Sequence, residues 1–200
     1  MKKVLALSIY MLAMVSGIAT YANAGIPDFI GGKKSAVTLT LNNVKEGQHL
    51  SIKDKAGFML YNSTIVTTGV YNNKFDLTAL PDGEYSFEHE KGYEIKIMPF
   101  KVSEGQVTFN EKNEKSIFKP VVNLKSNIVY LTKLNLDQSD VKVSIYYSTT
   151  NKSEDNLIHS ETISEETNIE RVYSLSEKQV GNYKVIISAN GRTYVENFEI

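Results

Sequence analysis

The sequence of 200 residues predicts an all-β protein built from two tandem antiparallel β-sandwiches that follow a secretion signal. Three observations lead to this fold class. Apolar and polar residues alternate along short segments, turn signals separate those segments, and the second half of the chain repeats the first. No segment after residue 24 carries the sustained 3.6-residue apolar period of an amphipathic helix, so we expect very little helix.

The repeat has a constant offset of 98 residues. Phe75-x-Leu77 matches Tyr173-x-Leu175, Gly83-x-Tyr85-x-Phe87 matches Gly181-x-Tyr183-x-Val185, and Phe100-x-Val102 matches Phe198-x-Ile200. Ile52 matches Ile145 only at an offset of 93, which predicts about five extra residues in the polar loop around 149–153. Because the matched residues are apolar, aromatic or Gly, the repeat predicts two copies of one scaffold.

The strands are predicted from period-2 alternation, which a half-buried antiparallel strand requires. Clear examples are Val37-Leu39-Leu41, Leu50-Ile52, Tyr85-Phe87-His89 and Val141-Val143-Ile145. Turn signals such as Pro81-Asp82-Gly83, Glu104-Gly105 and Asn190-Gly191 interrupt them at short intervals. A further short strand is predicted from Val107 to Phe109.

Six or seven short strands in each copy are typical of an immunoglobulin-like sandwich. We place the two sandwiches at 37–110 and 121–200, with a linker at 111–120 and a flexible segment at 25–36. Tyr85 and Tyr183 each follow a Gly by two residues, which predicts a structural tyrosine corner in each copy. The alternative role for these tyrosines is a sugar-stacking platform.

The N-terminus predicts a signal peptide at residues 1–24. Lys2 and Lys3 precede an apolar stretch from Val4 to Ile18, and Ala22-Asn23-Ala24 forms a cleavage site. The alternative is a membrane anchor, for which the apolar stretch is short. We therefore expect export to the periplasm or the cell exterior, with no membrane span after cleavage.

Composition excludes several classes of function. The chain has no Cys, which removes disulfides, thiolate metal sites and the lipid attachment of a lipoprotein. Loss of Lys2 and Lys3 takes the formal net charge from −1 to −3. Without a basic excess, we expect neither nucleic acid nor an anionic membrane as a partner.

The chain resembles a family of small secreted immunoglobulin-like domains of unknown function from Bacteroidetes-type bacteria. In the second half the resemblance lies in Val143-Ser144-Ile145, Leu157 to Thr162, Tyr173-Ser174-Leu175 and Gly181 to Ile187. In the first half it lies in Leu50 to Asp54, Phe75-Asp76-Leu77 and Gly83-x-Tyr85. A related pattern is the C-terminal sorting domain of type IX secretion, but the ending Glu199-Ile200 lacks a basic tail. The resemblance implies fold and envelope location, and it carries no catalytic residue.

Candidate chemistry is sparse, so we expect neither an enzyme nor a cofactor. His49, His89 and His159 show no metal-binding spacing, and no Ser lies in a Gly-x-Ser-x-Gly elbow. Glu165-Glu166 is expected to be a solvated pair. Gly31-Gly32-Lys33-Lys34 lacks the spacing of a phosphate loop.

The predicted function is a non-catalytic binding or assembly module that contacts a protein or glycan of the cell envelope. Tyr146 and Tyr147 are candidate contact residues because adjacent strand residues face opposite ways, and Tyr71 in a turn region is a third. Edge strands of the sandwich are a second available surface. The alternative function is carbohydrate binding by tyrosines at loop tips. The sequence predicts no oligomeric state.

Overall fold

A computed structural model describes residues 36–150 and 154–200, and it divides the chain into two compact units, Met1–Ser116 and Ile117–Ile200. The predicted signal peptide and most of the segment 25–36 lie outside the described residues. The structure confirms the all-β fold class. The helical content of the described residues is one 3-10 helix of three residues, Glu111–Asn113.

Unit 1 places strands in two antiparallel sheets. The strands are β1 (Ala36–Val44), β2 (His49–Asp54), β3 (Met59–Thr64), β4 (Gly69–Asp76), β5 (Gly83–Glu90), β6 (Glu94–Ser103), β7 (Gln106–Phe109) and the beginning of β8 (Lys115–Phe118), whose last two residues belong to unit 2. One sheet pairs β1 with β4, and the other has the order β3-β2-β5-β6-β7, with β8 also pairing with β6. Inward residues of both sheets, including Leu39, Ile52, Phe75 and Phe87, form one buried core.

Unit 2 is a seven-stranded sandwich. Its strands are β9 (Val121–Lys125), β10 (Ile128–Leu134), β11 (Val141–Ser148), β12 (Asn156–Ile163), β13 (Asn168–Ser174), β14 (Asn182–Ala189) and β15 (Arg192–Glu199). The sheet orders are β13-β10-β9 and β12-β11-β14-β15. The core lies between these sheets and includes Leu131, Ile145, Ile169 and Val185. Two facing antiparallel sheets with this strand order make an immunoglobulin-like sandwich.

The registers of the two units correspond. Ile52 pairs with Phe87 as Ile145 pairs with Val185, which is the predicted match at offset 93. From β3 onward the equivalent positions differ by 98, since Tyr61 and His159 each pair with those isoleucines. The five extra residues therefore lie in the loop between β11 and β12, where an insertion leaves the paired strands unchanged.

The segment 111–120, predicted as a linker, contains secondary structure. The salt bridge of Glu114 to Lys96 (2.9 Å) and a hydrogen bond from Ser116 to Glu94 (2.6 Å) attach it to β6. Ile117 in β8 is buried. The sequence analysis missed these anchors because they join residues about 20 positions apart.

Among residues 36–150 and 154–200, no helix has the length and apolar character needed to cross a bilayer.

Candidate functional site

The strongest candidate surface is an exposed apolar pair on one terminal strand of each unit. β3 ends the larger sheet of unit 1, and β12 ends the four-stranded sheet of unit 2. Met59 and Leu157 are both 56% exposed, Leu60 is 39% exposed and Ile158 is 46% exposed. A terminal strand directs half of its backbone N–H and C=O groups outward, so each pair adjoins groups that can hydrogen-bond an added strand.

The two pairs occupy equivalent positions. Met59 and Leu157, like Leu60 and Ile158, are separated by the 98-residue offset. The local backbone also matches, because each strand has a register shift at the pair. In β3, Met59 and Tyr61 pair with consecutive residues of β2, so Leu60 has no partner in the ladder. In β12, Leu157 and His159 pair with consecutive residues of β11, so Ile158 has none. Such a bulge increases the local twist and places the extra side chain outside the ladder.

The repetition is informative because it concerns exposed side chains. A repeated core residue is explained by packing, whereas a repeated exposed apolar residue gains nothing from the interior of its own unit. Other well-exposed apolar residues have no exposed apolar counterpart in the other unit. Val70 matches Asn168 and Val172 matches Lys74. Val195 matches Ile97, which is apolar but buried. The equivalent apolar pairs are therefore a surface feature shared by both edges.

Charge distinguishes the two edges. β3 (Met59–Thr64) contains no ionisable Asp, Glu, Lys, Arg or His. β12 contains His159 and Glu161, which belong to a charged cluster linking β12 to β13. We call this the β12–β13 cluster, and its members are His159, Glu161, Glu166, Arg171 and Tyr173.

Glu161 is the centre of the β12–β13 cluster. The Tyr173 hydroxyl donates to Glu161 Oε1 at 2.5 Å, and Arg171 Nε lies 3.6 Å from Glu161 Oε2. Arg171 also donates to both oxygens of Glu166, at 2.6 and 3.2 Å. His159 Nε2 lies 3.8 Å from Glu161 Oε1. These contacts turn the Glu161 carboxylate toward β13.

The electrostatics of the cluster follow from these contacts. Burial, reinforced by the hydrogen bond to Glu161, raises the pKa of Tyr173. The hydrogen bond from Arg171 lowers the pKa of Glu166, and the same bond raises the pKa of Arg171. Tyr173 therefore stays protonated and both charges of the Arg171–Glu166 pair persist at neutral pH. The cluster therefore links β12 to β13 and keeps the Glu161 carboxylate in contact with the Tyr173 hydroxyl.

Unit 1 has different residues at the four of these five positions that lie in the strands. The residues matching His159, Glu161, Arg171 and Tyr173 are Tyr61, Ser63, Asn73 and Phe75. Tyr61 and Phe75 make an edge-to-face ring contact with centroids 5.4 Å apart. The equivalent rings of His159 and Tyr173 are also in contact, with centroids 5.2 Å apart, so both units have a ring pair here and unit 2 adds the charged contacts of Glu161.

The three tyrosines predicted as contact residues lie within strands. Tyr71 was expected in a turn region, but it lies in β4, where it pairs with Leu41. Its side chain is half-buried, and its hydroxyl accepts a hydrogen bond from Asn73 Nδ2 at 3.0 Å. Tyr147 packs on Tyr183 and donates to the Val180 carbonyl at 3.0 Å.

Tyr146 is the predicted contact residue that the structure brings to the candidate surface. It is half-buried in β11 and pairs with Leu157 of the β12 apolar pair. The carbohydrate alternative required tyrosines at loop tips, and Tyr71, Tyr146 and Tyr147 occupy none.

Two other aromatic residues are well exposed in turns. Phe58 follows β2 and Tyr93 follows β5. Because β2 and β5 are antiparallel, with His49 opposite Glu90, these turns lie at opposite ends of the sheet. Phe58 and Tyr93 therefore do not form one stacking platform.

Tyr85 and Tyr183 have the geometry of tyrosine corners. Each hydroxyl donates to the carbonyl four residues earlier, Tyr85 to Pro81 at 2.7 Å and Tyr183 to Gln179 at 2.8 Å. Both rings belong to the core clusters, so neither offers a face to a ligand. Burial raises the pKa of both phenols.

The histidines make separate side-chain contacts. His49 contacts Thr64 Oγ1 at 3.3 Å, and His89 is buried, with Nε2 donating to Gln48 Oε1 at 2.8 Å. In the part of the chain that the structure describes, no group of three His, Asp or Glu side chains could hold a metal ion.

The apolar pairs are not among the residues predicted from the sequence. The signal was available, because applying the 98-residue offset to every apolar residue would have matched Met59-Leu60 with Leu157-Ile158. What the offset could not supply was exposure, which depends on β3 and β12 being terminal strands.

Comparison with known proteins finds no matching protein-family model and no matching curated protein. The chain is similar to a solved biofilm associated protein, BSP domain, at 14% identity and a TM-score of 0.29, over 88% of this chain and 29% of that chain. It is also similar to native alpha-2-macroglobulin from Escherichia coli spanning domains MG0-NIE-MG1, at 14% identity and a TM-score of 0.25, over 86% and 70%. The chain spans less than a third of the first structure.

Proposed function

We propose that this protein is a non-catalytic binding module of the cell envelope that docks extended polypeptide segments along the edge strands β3 and β12. The observation that carries the proposal is the exposed apolar pair that recurs at equivalent positions of both strands. An added strand would bond the outward backbone groups, and its own apolar side chains would cover the pair.

The edges suit this role because they carry little of the charge that usually protects a terminal strand, and the bulge at each pair is the protective feature that they keep. Terminal strands of soluble proteins commonly carry Lys, Pro or inward-pointing charge, which discourages pairing with another chain. β3 has none of these, and β12 has one carboxylate, Glu161, which Tyr173 and Arg171 engage on the β13 side. Complete burial of an exposed Met or Leu side chain contributes on the order of 1.5–3 kcal/mol, and side chains that are 39–56% exposed would gain about half of that each.

The envelope location is supported by the N-terminal sequence. The basic, apolar and small-residue regions of residues 1–24 have the order of a secretory signal. The resemblance to small secreted immunoglobulin-like domains of Bacteroidetes-type bacteria points the same way.

Site-specific photo-crosslinking in envelope extract tests the proposed function. A photoreactive amino acid at Leu60 or Ile158 is expected to capture polypeptide partners. The matched control is Val195, which is 46% exposed like Ile158 but lies on β15, the opposite terminal strand of the same sheet. Equal capture at all three sites, or capture at none, would contradict docking on β3 and β12.

A further inference from the structure

We propose that Met59 is a reversible oxidation site, and that its sulfoxide weakens docking at β3 while docking at β12 continues. The proposal rests on the proposed strand-docking function and adds the regulation of one of its two edges. The oxidant is a peroxide, for which hydrogen peroxide is the probe. Three features carry the proposal: the placement of the methionines, the position of Met59 within the apolar pair, and the hydrocarbon side chains at the matching place on β12.

The placement of the methionines makes oxidation selective. The chain has five Met residues and no Cys or Trp, and Met1, Met11 and Met14 belong to the predicted signal peptide. The two that remain after cleavage differ in exposure, since Met59 is 56% exposed and Met98 is 0% exposed. Because peroxide must reach the sulfur, we expect Met59 to react first.

The reaction adds one oxygen atom to the Met59 sulfur. The sulfur donates a lone pair to one peroxide oxygen, the O–O bond breaks, and the other oxygen leaves as water after a proton shift. The thioether is thereby oxidised to the sulfoxide, and the peroxide is reduced to water. Sulfoxide reductases reverse the modification, so the site can be switched in both directions.

The position of Met59 determines the consequence of its oxidation. Met59 begins β3 and pairs with Lys53 of β2, next to the bulge that leaves Leu60 without a ladder partner. Oxidation replaces an apolar thioether with a polar sulfoxide, whose oxygen must lose its water when a docked segment covers it. The edge then keeps one of its two apolar anchors together with its outward backbone groups. Docking at β3 is therefore weakened.

β12 has different chemistry at the matching place. Its apolar pair is Leu157-Ile158, and neither side chain contains sulfur. Leu157 is 56% exposed, as Met59 is, so the two edges present apolar side chains of equal exposure that differ in their reaction with peroxide. Two edges that dock segments in the same way before oxidation are therefore expected to differ after it.

Peptide mapping by mass spectrometry after timed exposure to hydrogen peroxide tests the selectivity. In the purified chain beginning at Gly25, Met59 should gain an oxygen atom at least about tenfold faster than Met98, because Met98 lies in the core of unit 1. Equal rates at the two residues would overturn the proposal. The circular dichroism of the oxidised protein should match that of the untreated protein, and a spectrum of unfolding would also contradict a change confined to the edge.

Photo-crosslinking of the oxidised protein tests the consequence. The purified chain with a photoreactive amino acid at Leu60 or Ile158 is treated with peroxide, freed of peroxide and then added to envelope extract. Capture at Leu60 should fall by about threefold or more, while capture at Ile158 should stay the same. Treatment of the oxidised protein with reductases for both sulfoxide epimers should restore capture at Leu60.

Two substitutions at the same position serve as controls. Met59→Leu gives β3 the residue that β12 has at Leu157, so this variant should dock segments and should not respond to peroxide. Met59→Gln introduces a polar, unbranched side chain and should reproduce the weakened capture at Leu60 without any oxidant.

The outcomes separate this proposal from the proposed function. Capture at Leu60 that survives oxidation of Met59, or that peroxide lowers equally in Met59→Leu, overturns the proposal and retains strand docking. An equal fall at Ile158 overturns it as well, because the effect would not depend on Met59. Absence of capture at both sites before oxidation contradicts the proposed function, and this proposal with it.

Discussion

The two units have the same framework but bury different ionisable residues. Unit 1 buries His89 where unit 2 has Ile187, and unit 2 buries Lys133 where unit 1 has Leu41. The equivalences follow from the registers, since Leu41 pairs with Tyr71 and Lys133 with Ile169, while His89 pairs with Leu50 and Ile187 with Val143. The same interior position accepts either hydrocarbon or an ionisable group, provided that the unit supplies partners for the group.

Each buried group has hydrogen-bond partners within its own unit. Lys133 Nζ donates to the carbonyl oxygens of Phe118 at 2.9 Å and Leu134 at 3.3 Å, and burial lowers the pKa of its ammonium. His89 bonds to Gln48, whose Oε1 also accepts from the Lys45 N–H at 3.1 Å. Residues in the neighbouring loops and strand ends therefore supply the hydrogen-bond partners of each buried ionisable group.

The largest effect is expected when the lysine is transferred without its partners. Leu41→Lys places an ammonium in the core of unit 1, where Leu41 packs among Val37, Leu39 and other apolar residues. We expect unit 1 to lose about 3 kcal/mol or more of its free energy of unfolding, because a buried charge without a partner is strongly unfavourable. Native-state hydrogen exchange by mass spectrometry, following peptides from β5 for unit 1 and β14 for unit 2, measures each unit separately.

The reverse substitution is the control. Lys133→Leu removes the desolvation penalty of the ammonium but leaves two carbonyls without that donor, so unit 2 should change by no more than about 1 kcal/mol. If Leu41→Lys cost no more than Lys133→Leu, the partners of Lys133 would not be what makes the buried lysine acceptable.

The second prediction concerns pH and His89. Burial, with Lys91 and Lys96 nearby outweighing Glu94, lowers the pKa of His89 from 6.5 to about 4. Between pH 4 and 6.5 the unfolded chain therefore binds a proton that the folded chain does not. The contribution of His89 to stability is complete above pH 6.5 and is lost as the pH falls toward 4, by about 3 kcal/mol in total.

Hydrogen exchange at pH 7.0 and 4.5, corrected for the intrinsic exchange rate, checks this. Unit 1 should lose stability at pH 4.5 relative to unit 2, and His89→Ile should remove that difference by making unit 1 resemble unit 2 at this position. A wild-type unit 1 that shows the same pH response as the His89→Ile variant would rule out His89 as its source.

The sequence predicted the parts of this comparison that depend on local pattern. Period-2 alternation placed Phe87 and Val185 in the cores, and the 98-residue offset identified the two copies, because a sandwich interior restricts inward residues to apolar types. It also identified the mismatch of His89 with Ile187. It did not predict the β12–β13 cluster, since Glu161 and Tyr173 meet only when two terminal strands of different sheets come together. Nor does the local pattern predict β8, because its attachment to β6 depends on contacts between residues about 20 positions apart.

The smallest effect distinguishes two glycines that the repeat treats as equivalent. Gly83 and Gly181 both precede the strand that carries the tyrosine corner. A Cβ at Gly181 would lie 2.5 Å from the Ser148 carbonyl oxygen and 2.9 Å from Cε2 of Tyr147. A Cβ at Gly83 would meet the Tyr85 side chain at 3.3 Å or more, which is close to ordinary contact.

The difference arises from the residue that precedes each bulged hairpin. Tyr147 pairs with Tyr183 and covers Gly181, whereas the equivalent Asp54 pairs with Tyr85 and bonds to the Phe58 N–H instead.

Gly181→Ala is therefore expected to destabilise unit 2 by about 1–3 kcal/mol through overpacking against backbone. Gly83→Ala should stay within about 0.5 kcal/mol, because the reduced entropy of the unfolded chain offsets a minor contact. Urea denaturation of each variant, read by hydrogen exchange in the affected unit, gives the comparison. Equal costs at the two glycines would mean that the Tyr147 ring and the Ser148 carbonyl can withdraw from a methyl group, and that the repeat is more nearly symmetric than its contacts indicate.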